Sequence, residues 1–323
     1  MSPSPFTDRF GSQHTLKPVY FSIEVLERYF DDPKYLVFYS DYRGSICLKD
    51  EYATDDDYEY IRDFGLAYKE DDTNERAVVT FLGDMLKLPY KAQCYWYSYL
   101  LDQQDMYFPN EGFVTNLIRG EWVDNISIFQ ALTMELHYIN EMCMAIGLPG
   151  MFREEYPSDS PVQNDRPNNY HVILLPTEER YYNFVITLEK MTTSNINIDT
   201  FLTTVQGERY IPSINSIERL DDQGKPKGSV TMLVEWFKAN VHGADIDKDI
   251  KLPLRELIKQ RQTPAHVNYP NKYDKSIWTR QNNLIQSIYV AIRNIRLLLA
   301  NHPKAKSVKV PDVLFDGEHI AIY

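Results

Sequence analysis

Residues 261–266 read Arg-Gln-Thr-Pro-Ala-His. A permanently charged guanidinium and a titratable imidazole, separated by four residues, are a minimal set for cutting RNA without a metal. An imidazole with an ordinary pKa of about 6.5 accepts or donates a proton near neutrality. A guanidinium presents a planar fork to a phosphate and stabilises the added negative charge of a pentavalent transition state. RNA supplies its own nucleophile, the 2′-hydroxyl, so the expected products are a 2′,3′-cyclic phosphate and a 5′-hydroxyl end. In this reading His266 is the acid–base group and Arg261 the phosphate group. Gln262 and Asn268 hold the scissile phosphate or orient the ring, and Lys259 and Asn271 are further substrate contacts. The plain alternative is a chance pairing on a solvated helix, because short motifs match by accident.

The element that must position these groups is a helix from Leu252 to about Thr263. Leu254, Leu257, Ile258 and Arg261 share one of its faces, so Arg261 is expected to continue the stripe that packs inward or against a partner helix. Pro264 disfavours helical backbone at Thr263, which predicts a break before His266. An unbroken helix would hold residues five apart about 140° from one another. A kink, or a two-fold partner presenting the same segment, is therefore needed to bring both groups to one phosphate.

The charge around the motif is unusual for this chain. Residues 251–310 hold twelve Lys and Arg (251, 255, 259, 261, 272, 275, 280, 293, 296, 304, 306 and 309) against Glu256 and Asp274. The chain as a whole has 34 basic and 46 acidic residues, which leaves 22 against 44 elsewhere. Such asymmetry points to a polyanionic partner for the basic stretch. The length of 323 residues gives room for two domains, and 43% hydrophobic with 25% charged residues is globular composition. Cys47, Cys94 and Cys143 are odd in number and widely spaced, with no disulfide framework or zinc spacing. No metal or cofactor motif and no glycine-rich phosphate loop is visible. The start, MSPSPFTDRFGSQ, carries no secretory pattern, and no apolar run approaches a membrane span, so a cytoplasmic protein is expected.

Along the chain, 19–22 and 35–39 read as strands with a short helix at 22–30 between them, capped by Ser22. Residues 77–82 read as a buried strand ended by Gly83-Asp84, and 89–101 as helical. A helix is expected within 122–147, stopped by Gly147, and the Pro-rich stretch 152–169 reads as a linker. Beyond it, 181–190, 199–205, a helix capped by Ser229, 252–263 and 276–301 read as helices. The last of these carries a stripe of Ile277, Gln281, Leu284, Ile285, Ile288, Ile292, Ile295 and Leu299. In the tail, Asp316-Gly317 favours a hairpin. The acidic run 50–57 has no calcium-loop spacing. His137 with Glu135 and Glu141 is read as packing or surface, and Cys94 lacks a nearby His that would activate it.

The pattern 254–266, followed by Asn271-Lys272-Tyr273-Asp274, Arg293-Asn294-Ile295-Arg296 and Asn301-His302-Pro303, resembles the HEPN superfamily. The resemblance covers about residues 169–303. It implies an all-helical bundle, usually a homodimer, and in many members a metal-independent ribonuclease of toxin–antitoxin, CRISPR or phage-defence systems. Its Arg and His, four to six residues apart, fall on Arg261 and His266. The polar residue after the Arg, commonly Asn, falls on Gln262, a mild departure. For the N-terminal half the family implies no activity. There Leu88-Pro89-Tyr90, Gln93 and Tyr95-Trp96 read as a buried aromatic cluster, or alternatively as a sensor of a ligand or phage protein.

The expected architecture is α+β. An N-terminal mixed α/β domain (1–120) precedes a connecting helix and linker (121–168), a HEPN-like helical domain (169–305) and a tail (306–323) with a possible hairpin. The expected function is an endoribonuclease with RNA as partner, a homodimer through the helical domain and a regulatory protein or phage-derived trigger. The competing expectation is a non-catalytic module that binds RNA, a nucleotide or a protein.

Overall fold

The branched and aromatic runs of the first part of the chain build an antiparallel sheet. In a computed structural model, the residues described are 4–11, 15–39, 41–52, 59–72, 75–121, 125–157, 166–207, 211–262, 271–317 and 319–323. They divide into two units. Unit 1 is Met1–Asp124 with Val172–Pro176 and Tyr323, and unit 2 is Asn125–His171 with Thr177–Ile322. The chain is thus a mixed α and β protein, with an antiparallel sheet in unit 1 and helices dominating unit 2.

Unit 1 runs α1 (Pro5–Phe10), β1 (Pro18–Phe21), α2 (Glu27–Asp31), β2 (Tyr35–Tyr39), β3 (Arg43–Leu48), β4 (Asp63–Lys69), β5 (Arg76–Phe81), α3 (Leu82–Lys87), α4 (Tyr90–Tyr97), β6 (Tyr107–Pro109) and α5 (Glu111–Val114). The sheet order is β1-β5-β4-β3-β2, with β6 added against β4 and all pairings antiparallel. Every residue of β5 is buried, as its unbroken apolar run predicts. That run does not stop at Gly83. Leu82 starts α3, and the Leu82 and Gly83 amides donate to the carbonyls of Lys17 and Thr15. Ser22 stands at the N-cap of a 3-10 turn, Ile23–Leu26, as expected, but its hydroxyl donates to Glu24 and makes no capping bond. The expected aromatic cluster forms in part: Leu88, Gln93 and Trp96 are buried and Tyr95 half-buried, but Tyr90 is 50% exposed. Trp96 is fully buried, packs edge-on to Phe21 at 5.0 Å and donates its indole N–H to the Tyr29 hydroxyl at 2.9 Å.

Two strand glycines make room for aromatic rings. A Cβ on Gly44 would lie 2.2 Å from the Phe64 ring, its partner across the β3–β4 pairing, and one on Gly65 would lie 2.3 Å from the Phe113 ring. Arg76, buried in β5, donates to the Ile173 carbonyl at 3.0 Å and to the Tyr323 carbonyl. Burial pulls its pKa down to about 10.

Unit 2 runs β7 (Ile126–Ser127), α6 (Ile128–Ile146), α7 (Glu178–Met191), α8 (Asp199–Leu202), α9 (Ser229–Asn240), α10 (Leu252–Gln262), α11 (Ser276–Ala300), α12 (Val313–Asp316) and β8 (Ile320–Ala321). The Ser127 hydroxyl caps α6, and Gly147 ends it in the left-handed region at φ 104°. The helix expected to connect two domains is instead a core element of unit 2 and packs along α11. The tail also departs from expectation. Residues 313–316 are helical, and β8 pairs in parallel with β7 rather than folding back as a hairpin. Gly228, not Ser229, is the N-cap of α9, and the Ser229 hydroxyl donates to the Thr193 carbonyl at 3.0 Å.

A fully buried ion pair crosses the α6–α11 contact. Arg296 donates through Nε and Nη2 to the two Glu135 oxygens, with both side chains 0% exposed. Burial pushes the Glu135 carboxyl up, while Arg296 pulls it back. Nη2 of Arg296 also donates to the Leu314 carbonyl at 2.8 Å, and Arg293 donates to the Phe315 carbonyl at 2.6 Å, so α12 is held on α11. Gln281, the one polar member of the α11 stripe, is buried and donates to the His171 carbonyl at 2.8 Å. No helix among the described residues is long and apolar enough to cross a membrane.

Arg296→Met leaves a buried carboxylate without its partner and is expected to cost about 3–5 kcal/mol. Pairing it with Glu135→Leu should restore most of that loss, read from the urea midpoint of unit 2. Gly65→Ala pushes a methyl into the Phe113 ring and should cost roughly 1–3 kcal/mol in unit 1. Cys94 is exposed, whereas Cys143 is buried with its thiol pushed up to about 12. A thiol reagent at pH 8 should therefore label Cys94 in the native protein and Cys143 only after denaturation, as mass spectrometry would show.

Candidate functional site on helix α10

Helix α10 follows a π-type turn, Asp247–Lys251, in which Asp247 bonds Lys251 at 2.7 Å and Lys238 on α9. Those two ammonium groups hold the Asp247 carboxyl down at about 2. Pro253 follows closely on that wider turn, which runs without a break into α10. Leu254 and Leu257 are buried and anchor the helix, and Ile258 is half-buried. Arg261 does not continue this stripe inward as its spacing suggests. It lies in the last described turn, where the stripe runs out to solvent, and its side chain is 49% exposed.

The guanidinium of Arg261 faces Glu189 of α7, with Nε 3.8 Å from Oε2. That distance is beyond a hydrogen bond, so the contact is an ion pair alone. Glu189 is buried, with a side chain 7% exposed. Its Oε1 accepts from the hydroxyls of Thr193 at 2.9 Å and Ser194 at 2.7 Å, while Oε2 has no hydrogen-bond partner. Neither Glu256 nor Asp274 takes Arg261. Glu256 accepts from Gln260 at 3.4 Å and lies 3.9 Å from Lys259. Asp274 accepts from the Ser276 amide at 2.9 Å, which holds its carboxyl below the usual range.

Two clefts flank α10. One, of about 360 Å³, lies between α10 and the start of α9 and is lined by Ser229, Thr231, Arg255, Lys259 and Gln262. It is basic on the α10 side. On the other side stand the first amides of α9, where no side chain caps the helix end. The second, of about 410 Å³, lies between α7, α10 and α11. There the Tyr181 hydroxyl donates to Gln260 at 2.8 Å. Arg280 stacks 4.1 Å from the Tyr181 ring centre and forks onto Glu178 at 2.8 and 3.4 Å. Burial raises the Tyr181 phenol.

Of the residues singled out from sequence, Lys259 and Gln262 meet at the basic cleft, and Arg261 lies between them in sequence, turned toward Glu189. Asn271 is elsewhere. It exchanges hydrogen bonds with Glu179 at the start of α7, at 3.1 and 3.2 Å, and so is engaged with the protein. His266 and Asn268 fall outside the described residues. Glu189 was missed, although its signal is in the sequence: it extends the apolar face of α7 formed by Tyr181, Phe184, Val185 and Leu188. An acid on such a face is buried and must find a partner. No family model matches the chain, and no curated protein or solved structure matches it either.

Proposed function

We propose that unit 2 is a HEPN-type helical module that binds RNA through its phosphates at the basic end of α10 and cleaves it without a metal. The observation that carries this reading is the last turn of α10. Lys259 and Gln262 open on one basic cleft, and Arg261, half in solvent, has among the described residues a single 3.8 Å ion pair to give up. A phosphate offers that guanidinium two parallel charge-assisted hydrogen bonds, which Glu189 does not. His266 is five residues away, so its Cα lies within about 18 Å of that of Arg261 by chain length alone.

In the proposed reaction His266 removes the 2′-hydroxyl proton, the 2′-oxygen attacks the adjacent phosphorus, and the P–O5′ bond breaks as the imidazolium of His266 returns that proton to the departing 5′-oxygen. Arg261 stabilises the charge that accumulates on the phosphoryl oxygens. Two copies meeting through the helical module would set two such pairs around one cleft, and an anti-phage or toxin system is the setting such an activity suits. A second reading has support of its own. The Arg261–Glu189 approach fits a non-catalytic RNA-binding module, in which Arg261 fixes α10 against α7.

Incubation of the protein with total RNA, beside His266→Ala and Arg261→Ala, separates the two. Cleavage predicts a loss of at least about 100-fold in either variant, with 2′,3′-cyclic phosphate ends in the wild-type digest. Equal decay in all three samples, or none in any, removes the catalytic assignment. RNA binding that weakens steeply with salt and falls with Lys259→Ala is expected under both readings.

A further inference from the structure

The cleft between α7, α10 and α11 takes no part in the reaction above, yet its lining defines a ligand. Arg280 is not available to an anion there, because its fork is committed to Glu178 and its face to the Tyr181 ring. The remaining charged group on the wall is the Glu256 carboxylate, whose own contacts are a 3.4 Å bond from Gln260 and an exposed Lys259 at 3.9 Å. Such a wall disfavours phosphate and accepts a donated N–H. Across the cleft, Asn283 and Ser287 lie one turn apart on α11. Both are exposed, and among the described residues neither bonds another protein group. An amide and a hydroxyl together offer donors and acceptors to the edge of a planar ring, and the half-buried Tyr182 offers an aromatic face.

A flat heterocycle with an exocyclic amine meets each of these groups: the amine toward Glu256, the ring edge toward Asn283, a face on tyrosine. Asn paired to adenine and a carboxylate accepting from a cytosine amine are established recognition chemistries. The volume of about 410 Å³ accommodates such a ring. Glu256 and Gln260 belong to the same helix as Arg255, Lys259 and Gln262, on an adjoining face, so one short single strand crossing α10 reaches both clefts. We infer that this cleft is a base-binding subsite, seating adenine, an amino-bearing base, of the single-stranded RNA whose phosphates lie in the basic cleft. The inference rests on the RNA reading above and adds to it a base preference.

The test uses the full chain and 5′-labelled 2′-O-methyl decamers, which lack the nucleophile and cannot be cleaved. Fluorescence anisotropy compares oligoadenylate, oligouridylate and an abasic ribose-phosphate strand. The proteins are wild type, Glu256→Gln, Asn283→Ala and Lys259→Ala, each checked for an unchanged unfolding midpoint. Oligoadenylate should bind at least 10-fold more tightly than the other two strands. Glu256→Gln and Asn283→Ala should erase that margin without weakening oligouridylate, while Lys259→Ala weakens all strands alike. Strands that bind wild type equally, with Lys259→Ala still weakening each, overturn the base subsite and leave the phosphate reading standing. Lys259→Ala without effect on any strand overturns the phosphate reading. The subsite then stands or falls on calorimetry with adenosine alone: heat lost in both cleft variants supports it, and no heat overturns it. Binding of spermidine, lost in Glu256→Gln, with no binding of adenosine, reassigns the cleft to a cationic amine and overturns the inference.

Discussion

Two charges with no access to water hold unit 2 together. Glu135 and Arg296 are 0% exposed, and removing both from solvent costs several kcal/mol per ion before their attraction repays it. The attraction repays it only with good geometry, which the two-point contact of the guanidinium on the carboxylate provides. The pair therefore fixes the register of α6 against α11, because a slip by one turn would leave each charge facing apolar side chains. Arg296 also accommodates the Leu314 carbonyl, so the position of α12 depends on the same group. Farther toward its start, α11 supplies Arg280, Asn283 and Ser287 to the cleft beside α10. The geometry of that cleft is thus inherited from a contact made several turns away.

Around α10 the electrostatics are graded rather than uniform. In the turn before it Asp247 neutralises Lys251, and on α10 itself Lys259 has Glu256 at 3.9 Å while Arg261 has a distant and sterically constrained carboxylate. Glu189 cannot follow Arg261 outward, because Thr193 and Ser194 hold its other oxygen. The guanidinium is consequently oriented without being saturated.

The elements that sequence made legible are those whose partners are close or whose pattern is unbroken. β1, β2 and β5 lie where their branched and aromatic runs place them, α11 spans nearly the predicted residues, and Gly147 stops α6 as expected. β3 and β4 escaped notice because Gly44 and Gly65 weaken their strand signal, and the rings that compensate come from the paired strand, Phe64, and from α5, Phe113. α6 read as a connector because the proline-rich stretch after it resembles a boundary. Its true partner, Arg296, is 161 residues distant. The acids Glu135 and Glu189 each sit on an apolar helix face, which is a readable sign of a buried partner, but spacing alone does not name that partner. For the site, the type and order of Lys259, Arg261 and Gln262 were legible. That Arg261 stays half-exposed while facing the buried Glu189, and that Asn271 is taken up by Glu179, follow from tertiary contacts, which no local pattern encodes.

The separation of Glu135 from Arg296 has a consequence for how the chain is made. Ribosomes add about 5–20 residues each second, so α6 leaves the exit tunnel on the order of ten seconds before its counter-ion does. During that interval Phe129 of α6 can already meet Tyr170 and Phe184, but the Glu135 carboxylate in the middle of the face has no counter-ion. A charge on that face disfavours its full burial, so closure around Glu135 awaits the arrival of α11 with Arg296.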